Sequence, residues 1–282
     1  VLGLATSLAL HHYYTTEQII EFGWRIPFVA GGLVGLLSFV VRRQLIESPV
    51  YRQMLDEKQQ LEHKLPLKTL FTRYPRQLLG GFLLTGAGAS AIMIFFLFLP
   101  TYLGKVLHYP IQDVLESTTL SLLAGCVLIL CCGLVIDKLA KRLNLWLSLA
   151  LIISMALVLI SYSLYQSHAP LLLPMLLSAL AIGMIWSLTS TLLSLLFPVP
   201  VRYSGIGLVY NIAFATIGGL APAIALSLID LTGSTLAPAY YHVGASALGL
   251  IGLGLLGSIR LPRRVNPEAA GEESAVAPHP LS

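Results

Sequence analysis

Five stretches of the chain carry no Asp, Glu, Lys or Arg: residues 77–104, 117–136, 143–201, 203–229 and 231–259. The hydrocarbon core of a bilayer, about 30 Å thick, takes about 20 apolar residues per helical crossing. Each stretch is long enough for one crossing, and 143–201 for two. Of the 282 residues, 56% are hydrophobic and 11% charged, against roughly a quarter charged in an ordinary soluble domain. A soluble domain is excluded. The class is an all-α integral membrane protein of several spans, with membrane lipid as its surroundings.

The net charge of +4 does not point to nucleic acid, because the basic residues sit in short connections between spans, where they report orientation. Cys126, Cys131 and Cys132 fall inside one apolar segment with no metal-site spacing, and they read as small fillers of a buried helix. The chain starts at Val1 within an apolar run, with no Met and no basic leader, so the N-terminus reads as cut.

The expected spans are a partial one over 1–10, then 26–41, 77–103, 114–136, 145–166, 170–196, 204–229 and 239–259. The break between the fourth and fifth complete spans rests on Gln166, Ser167, His168, Ala169 and Pro170, a turn-like cluster whose proline suits a helix start. Alternating the sides puts fifteen of the seventeen Lys and Arg on one face and leaves Arg25 and Lys105 on the other. That face is expected to be cytoplasmic by the positive-inside rule. Residues 42–76 form the one long connection, where Tyr51, Met54, Leu55, Leu61 and Leu65 recur at roughly helical spacing, the pattern of an amphipathic helix lying on the membrane. Six spans follow it over 77–261, which suggests a three-plus-three repeat. The tail 262–282, rich in Pro, Ala and Glu, is expected to be disordered.

Particular motifs carry a family resemblance. Gly23-Trp24-Arg25-Ile26-Pro27-Phe28 opens a span that ends in Glu47-Ser48-Pro49-Val50-Tyr51. Further on, Phe197-Pro-Val-Pro-Val-Arg202-Tyr203-Ser-Gly205 precedes Tyr210-Asn211 and Gly218-Gly219-Leu-Ala-Pro222. These resemble the sixth helix and the tenth-to-eleventh helices of the major facilitator superfamily, in particular its metabolite:proton symporters. Pro100-Thr101-Tyr102-Leu103 and Pro238-Ala-Tyr240-Tyr241 lean toward the proline/betaine branch. The resemblance implies a helical bundle of the superfamily's C-terminal half, helices seven to twelve. Residues 1–41 would then be the end of the N-terminal bundle, a partial helix five and helix six, with most of that half missing. It implies a secondary transporter moving a small polar metabolite by alternating access, with H+ as coupling ion and no cofactor. It further implies a monomeric, multi-pass protein of a bacterial cytoplasmic membrane. Gly133-Leu-Val-Ile-Asp137-Lys138-Leu-Ala140-Lys141-Arg142 is similar to the superfamily's cytoplasmic gating loop, with Ala140 where the pattern prefers Gly. By the residues alone, Lys138, Lys141 and Arg142 also suit a plain positive-inside anchor.

A solute pathway needs polar groups on helix faces turned from lipid. Gly183, Ser187, Ser190, Thr191 and Ser194 make one such stripe beside Trp186, and Gly81, Thr85, Gly88 and Ala89 make another. The resemblance makes these the cavity-lining tenth and seventh helices. Close packing through small residues explains the same spacing. Tyr210 and Asn211 are candidates for substrate or gating contacts, or for bonds between helices. Gly31-x-x-x-Gly35 and glycines 249, 252, 254 and 257 are assigned to packing. Tyr162 and Tyr165 are expected in the interfacial belt, and His11, His12, His168 and His242 at outer span ends. With no Asp, Glu, Lys or Arg in the middle third of any complete span, the proton carrier is expected in the missing half. A sugar porter, on the strength of Glu47-Ser48-Pro49, and a non-transporting remnant remain as alternatives. A membrane enzyme lacks its nucleophile–base pair or metal cluster.

Overall fold

The computed structural model describes residue 10 and residues 13–44, 66–139 and 142–257. Among these, all regular structure is helical, and seven helices are long and apolar enough to cross a membrane. A wide turn at Ile19–Gly23 leads into α1 (Arg25–Gln44), and a short α2 (Pro66–Arg73) precedes α3 (Pro75–Ile92). After α4 (Leu99–Lys105) come α5 (Ile111–Leu139), α6 (Leu143–Gln166) and α7 (Leu172–Leu196). The chain closes with α8 (Arg202–Ala213), α9 (Ala221–Thr232) and α10 (Ala237–Leu256); α8 and α9 together make one span. Every complete span expected from the sequence has its helix. The amphipathic segment 51–65, the exit motif Glu47-Ser48-Pro49 and the tail 262–282 lie outside the described residues, as do His11 and His12.

Prolines sit in the first turns of α3, α4, α9 and α10, where the missing N–H costs no helical bond. Upstream of three prolines the chain makes a π-turn. Trp24 N–H bonds Ile19 O at 3.0 Å, Phe98 N–H bonds Met93 O at 2.8 Å, and Gly219 N–H bonds Phe214 O at 2.6 Å. Each skips five residues, and each turn ends three or four residues before Pro27, Pro100 or Pro222. Proline cannot donate to the carbonyl four residues back, and a widened turn re-satisfies the backbone there.

The core sits where α3 packs on α10, with α6, α7 and α8 around them. The α3–α10 seam is backbone against backbone: a Cβ added to Gly252 would meet Gly80 O at 2.8 Å, and one added to Gly249 would meet the Ala87 Cβ at 2.9 Å. Small residues bring membrane helices this close, where dispersion rather than hydrophobic exclusion holds them. The packing expected of glycines 249 and 252 is therefore present, whereas Gly254 faces open space. Gly31 and Gly35 also meet nothing within 4 Å, and all of α1 from Phe28 to Val41 is exposed.

Three expectations are corrected. Tyr162 and Tyr165 are fully buried, not interfacial: the Tyr162 hydroxyl donates to Ile94 O at 3.3 Å, and its ring meets those of Tyr102 and Tyr165 at 5.0 and 5.6 Å. Cys126 and Cys131 are exposed on α5 rather than buried, because lipid receives an apolar side chain as readily as a protein core does. His242 is not at a surface but 0% exposed in α10, since its ring turns inward toward the middle of α6.

Candidate substrate site

The residues singled out on α3, α7 and α8 converge in part. A Cβ at Gly88 of α3 would lie 3.2 Å from the Trp186 indole of α7, and one at Gly81 would lie 3.0 Å from Leu196. That antiparallel register sets Thr85, one turn before Gly88, level with Thr189 of α7. Both threonines are fully buried, and among the described residues neither hydroxyl has a hydrogen-bond partner; nor does the Trp186 Nε1–H. An unpaired buried donor or acceptor costs about 1–3 kcal/mol. Three on one helix–helix contact are an unfilled demand for polar atoms. Thr85 is eleventh in the 23-residue span Pro75–Leu97, close to mid-membrane.

On the open side of this seam stands an aromatic group. The Trp186 ring lies 6.0 Å from Tyr210 and 5.6 Å from Phe214, and Tyr210 stacks on Phe214 at 4.5 Å. Tyr210 is 40% exposed. Tyr210 and Phe214 are one helical turn apart, the spacing at which side chains on one face meet.

The rest of the predicted stripe divides. Gly183 packs against Ile129 of α5 at ordinary contact distance. Ser187 donates to Gly183 O at 2.6 Å, Thr191 to Ser187 O at 3.1 Å and Ser194 to Thr191 O at 2.8 Å. Asn211 likewise donates to Gly207 O at 2.7 Å. These donors are satisfied by their own helices, and Ser190 is exposed. The pattern therefore separates self-bonded polar residues from the unpaired set at Thr85, Trp186 and Thr189. Thr189 and Phe214 were not singled out from sequence. Phe214 had a signal in its four-residue spacing from Tyr210, whereas the orphan state of Thr189 has none.

The family motifs take definite places. Arg202 Nε donates to Phe197 O at 3.0 Å, and a Cβ on Gly205 would strike the Phe197 ring at 2.8 Å. Both residues thus lock the entry to α8. At the other motif, Arg25 lies 4.7 Å over the Trp24 ring and donates to Glu21 O at 2.7 Å. Gly23 closes the π-turn two residues before Arg25, and Pro27 falls in the first turn of α1. In the gating motif, Gly133, Asp137 and Lys138 belong to the helical backbone of α5, and Arg142 is exposed just before α6. Ala140 and Lys141 lie outside the described residues.

The model of the Major Facilitator Superfamily matches residues 16–224, and the chain belongs to that family. A Staphylococcus aureus (strain COL) protein whose assignment as a proline/betaine transporter is provisional is 26% identical over 248 residues, covering 86% of this chain and 52% of the relative. The citrate-proton symporter of Salmonella typhi is 27% identical over 267 residues, covering 93% of this chain and 59% of the relative. That of Klebsiella pneumoniae is 26% identical over 259 residues, covering 89% and 56%. The chain thus spans little more than half the length of these relatives. No solved structure matches it significantly. The family and the seven apolar helices make this a multi-pass membrane protein of a transporter family.

Proposed function

We propose that the chain carries the substrate-facing part of a proton-coupled symporter of the bacterial cytoplasmic membrane. It moves a small polar metabolite of the proline, betaine or organic-acid kind by alternating access. The observation that carries this reading is the meeting of Thr85, Trp186 and Thr189, whose polar atoms are buried and unpaired, with the aromatic group of Tyr210 and Phe214 beside them. Binding sites pair a largely apolar lining with a few polar groups that fix orientation. A solute that supplies the missing hydrogen bonds is favoured by their strength in this dry setting. The kinship with symporters supports proton coupling.

The test is uptake of labelled proline, glycine betaine and citrate by cells making the protein that contains this chain, with and without an uncoupler. Uptake of one of them, abolished by the uncoupler, is expected. Thr85→Val, which keeps the shape but removes the hydroxyl, should raise the half-saturating concentration about five- to tenfold, the equivalent of one hydrogen bond. Uptake of none of the panel, or unchanged kinetics in both Thr85→Val and Trp186→Phe, counts against the site.

A further inference from the structure

A second polar cluster lies on the opposite face of α3. His242 of α10 is completely buried. Its Nδ1 is 2.9 Å from Ser90 Oγ of α3, and its Nε2 is 3.3 Å from Ser154 Oγ of α6 and 3.2 Å from Ser246 Oγ of α10. Phe95 packs beside the ring at 5.4 Å. Ser154 is twelfth of the 24 residues of α6 and Ser246 tenth of the 20 of α10, so the imidazole is at the centre of the bundle in depth. The charged or titratable groups on the helices packed around it are Arg76 on α3, Tyr162 and Tyr165 on α6, Asp230 on α9, and Tyr240 and Tyr241 on α10. Among the described residues the groups within hydrogen-bond distance of the ring are the three hydroxyls, and Phe95 is its aromatic neighbour.

The proton inventory selects one tautomer. Ser90 donates to Ala87 O at 2.8 Å and Ser154 to Leu151 O at 2.7 Å, so both present lone pairs to the ring. Ser90 therefore accepts from Nδ1–H. Among the described residues Ser246 bonds the ring alone, and its O–H is the proton left for Nε2. One imidazole with its proton on Nδ1 thus bonds α3 to α10, while Ser154 of α6 sets an oxygen lone pair beside Nε2 without a bond to it. A proton added at Nε2 takes away the acceptor of the Ser246 O–H and leaves a buried cation that faces no carboxylate among the described residues, which an apolar interior opposes.

Position gives this tie a consequence. Ser90 follows Gly88 by two residues, about 3 Å along the axis and about 200° around it. The face of α3 that meets Trp186 and the face that meets His242 are therefore back to back at one depth. We propose that His242 is a proton-sensitive positioning residue, holding α3 to α10 while neutral and releasing it when the cluster opens and Nε2 takes a proton. Its role in coupling rests on the transport reading, but the tautomer and the latch do not.

The test uses the purified protein. Nitrogen-15 spectra should show one histidine in the Nδ1–H form at pH 8, shifted by Ser246→Ala, which strands Nε2. Amide exchange over 237–249, corrected for intrinsic rates, should rise by up to about tenfold per pH unit below the ordinary imidazole value of about 6.5, where water-exposed rings take a proton. His242→Asn, which keeps a donor toward Ser90 but cannot titrate, should remove that dependence. An Nε2–H form for the ring assigned to His242 at pH 8, or the same pH dependence in wild type and His242→Asn, overturns the proposal. If His242→Asn does not fold, the spectra and the Ser246→Ala exchange profile decide alone. Failure of uptake with this pH signature intact would refute the transport reading and leave the latch standing.

Discussion

Gly205 shows how a single missing carbon sets a local structure. Phe197 ends α7 in an extended conformation, and its ring occupies the space where a Gly205 side chain would stand, 2.8 Å from the ideal Cβ. Gly207, two residues on, has nothing within 4 Å. Gly205→Ala should therefore lower thermal stability by about 1–3 kcal/mol through overpacking, while Gly207→Ala should leave the melting temperature unchanged or slightly raised. Equal melting curves would show that Phe197 gives way without cost. Residue types at this scale were partly legible. Thr85, Trp186 and Tyr210 stood out because large or polar groups in apolar runs are few, and all three lie at the candidate site. His242 did not, because depth was counted from the span's end, whereas a side chain's environment depends on which neighbour it turns toward. Tyr162 and Tyr165 were misplaced by the same reasoning: a tyrosine near a helix end can also bury its ring, and the Tyr162 hydroxyl bonds a carbonyl inward.

The helices themselves were the most legible level, since length without charge is nearly sufficient to specify a span. Their internal irregularities were not, because a π-turn depends on how the freed backbone groups find partners. The α8–α9 span shows the case: Gly219 N–H reaches back to Phe214 O, and Pro222 follows as the helix resumes. If the proline imposes the widened turn, Pro222→Ala restores the N–H and the span should straighten. Spin labels at Tyr203 and Ser227, both exposed, would then approach the separation of about 36 Å expected for a straight helix at 1.5 Å per residue. An unchanged distance distribution would assign the widened turn to tertiary packing instead.

For the molecule as a whole, the expected orientation follows from the basic residues on one face. Single cysteines at Gln60 and Gln112 should label from opposite sides of the membrane, Gln60 from the cytoplasm; labelling from one side would overturn the alternation of spans. The six-span arrangement was readable in the loops, but the order of contact among helices was not. Nothing in the composition of α10 distinguishes a helix pressed backbone to backbone on α3 from one that only borders it. That seam has a mechanical meaning. Where two helices meet through side chains, a push on one is partly absorbed as rotamers rearrange. Between Gly80 and Gly252 there are no rotamers to rearrange, so the joint has little compliance. A displacement of α3 by a solute at Thr85 would pass to α10 almost undiminished, and with it to the histidine on the far side.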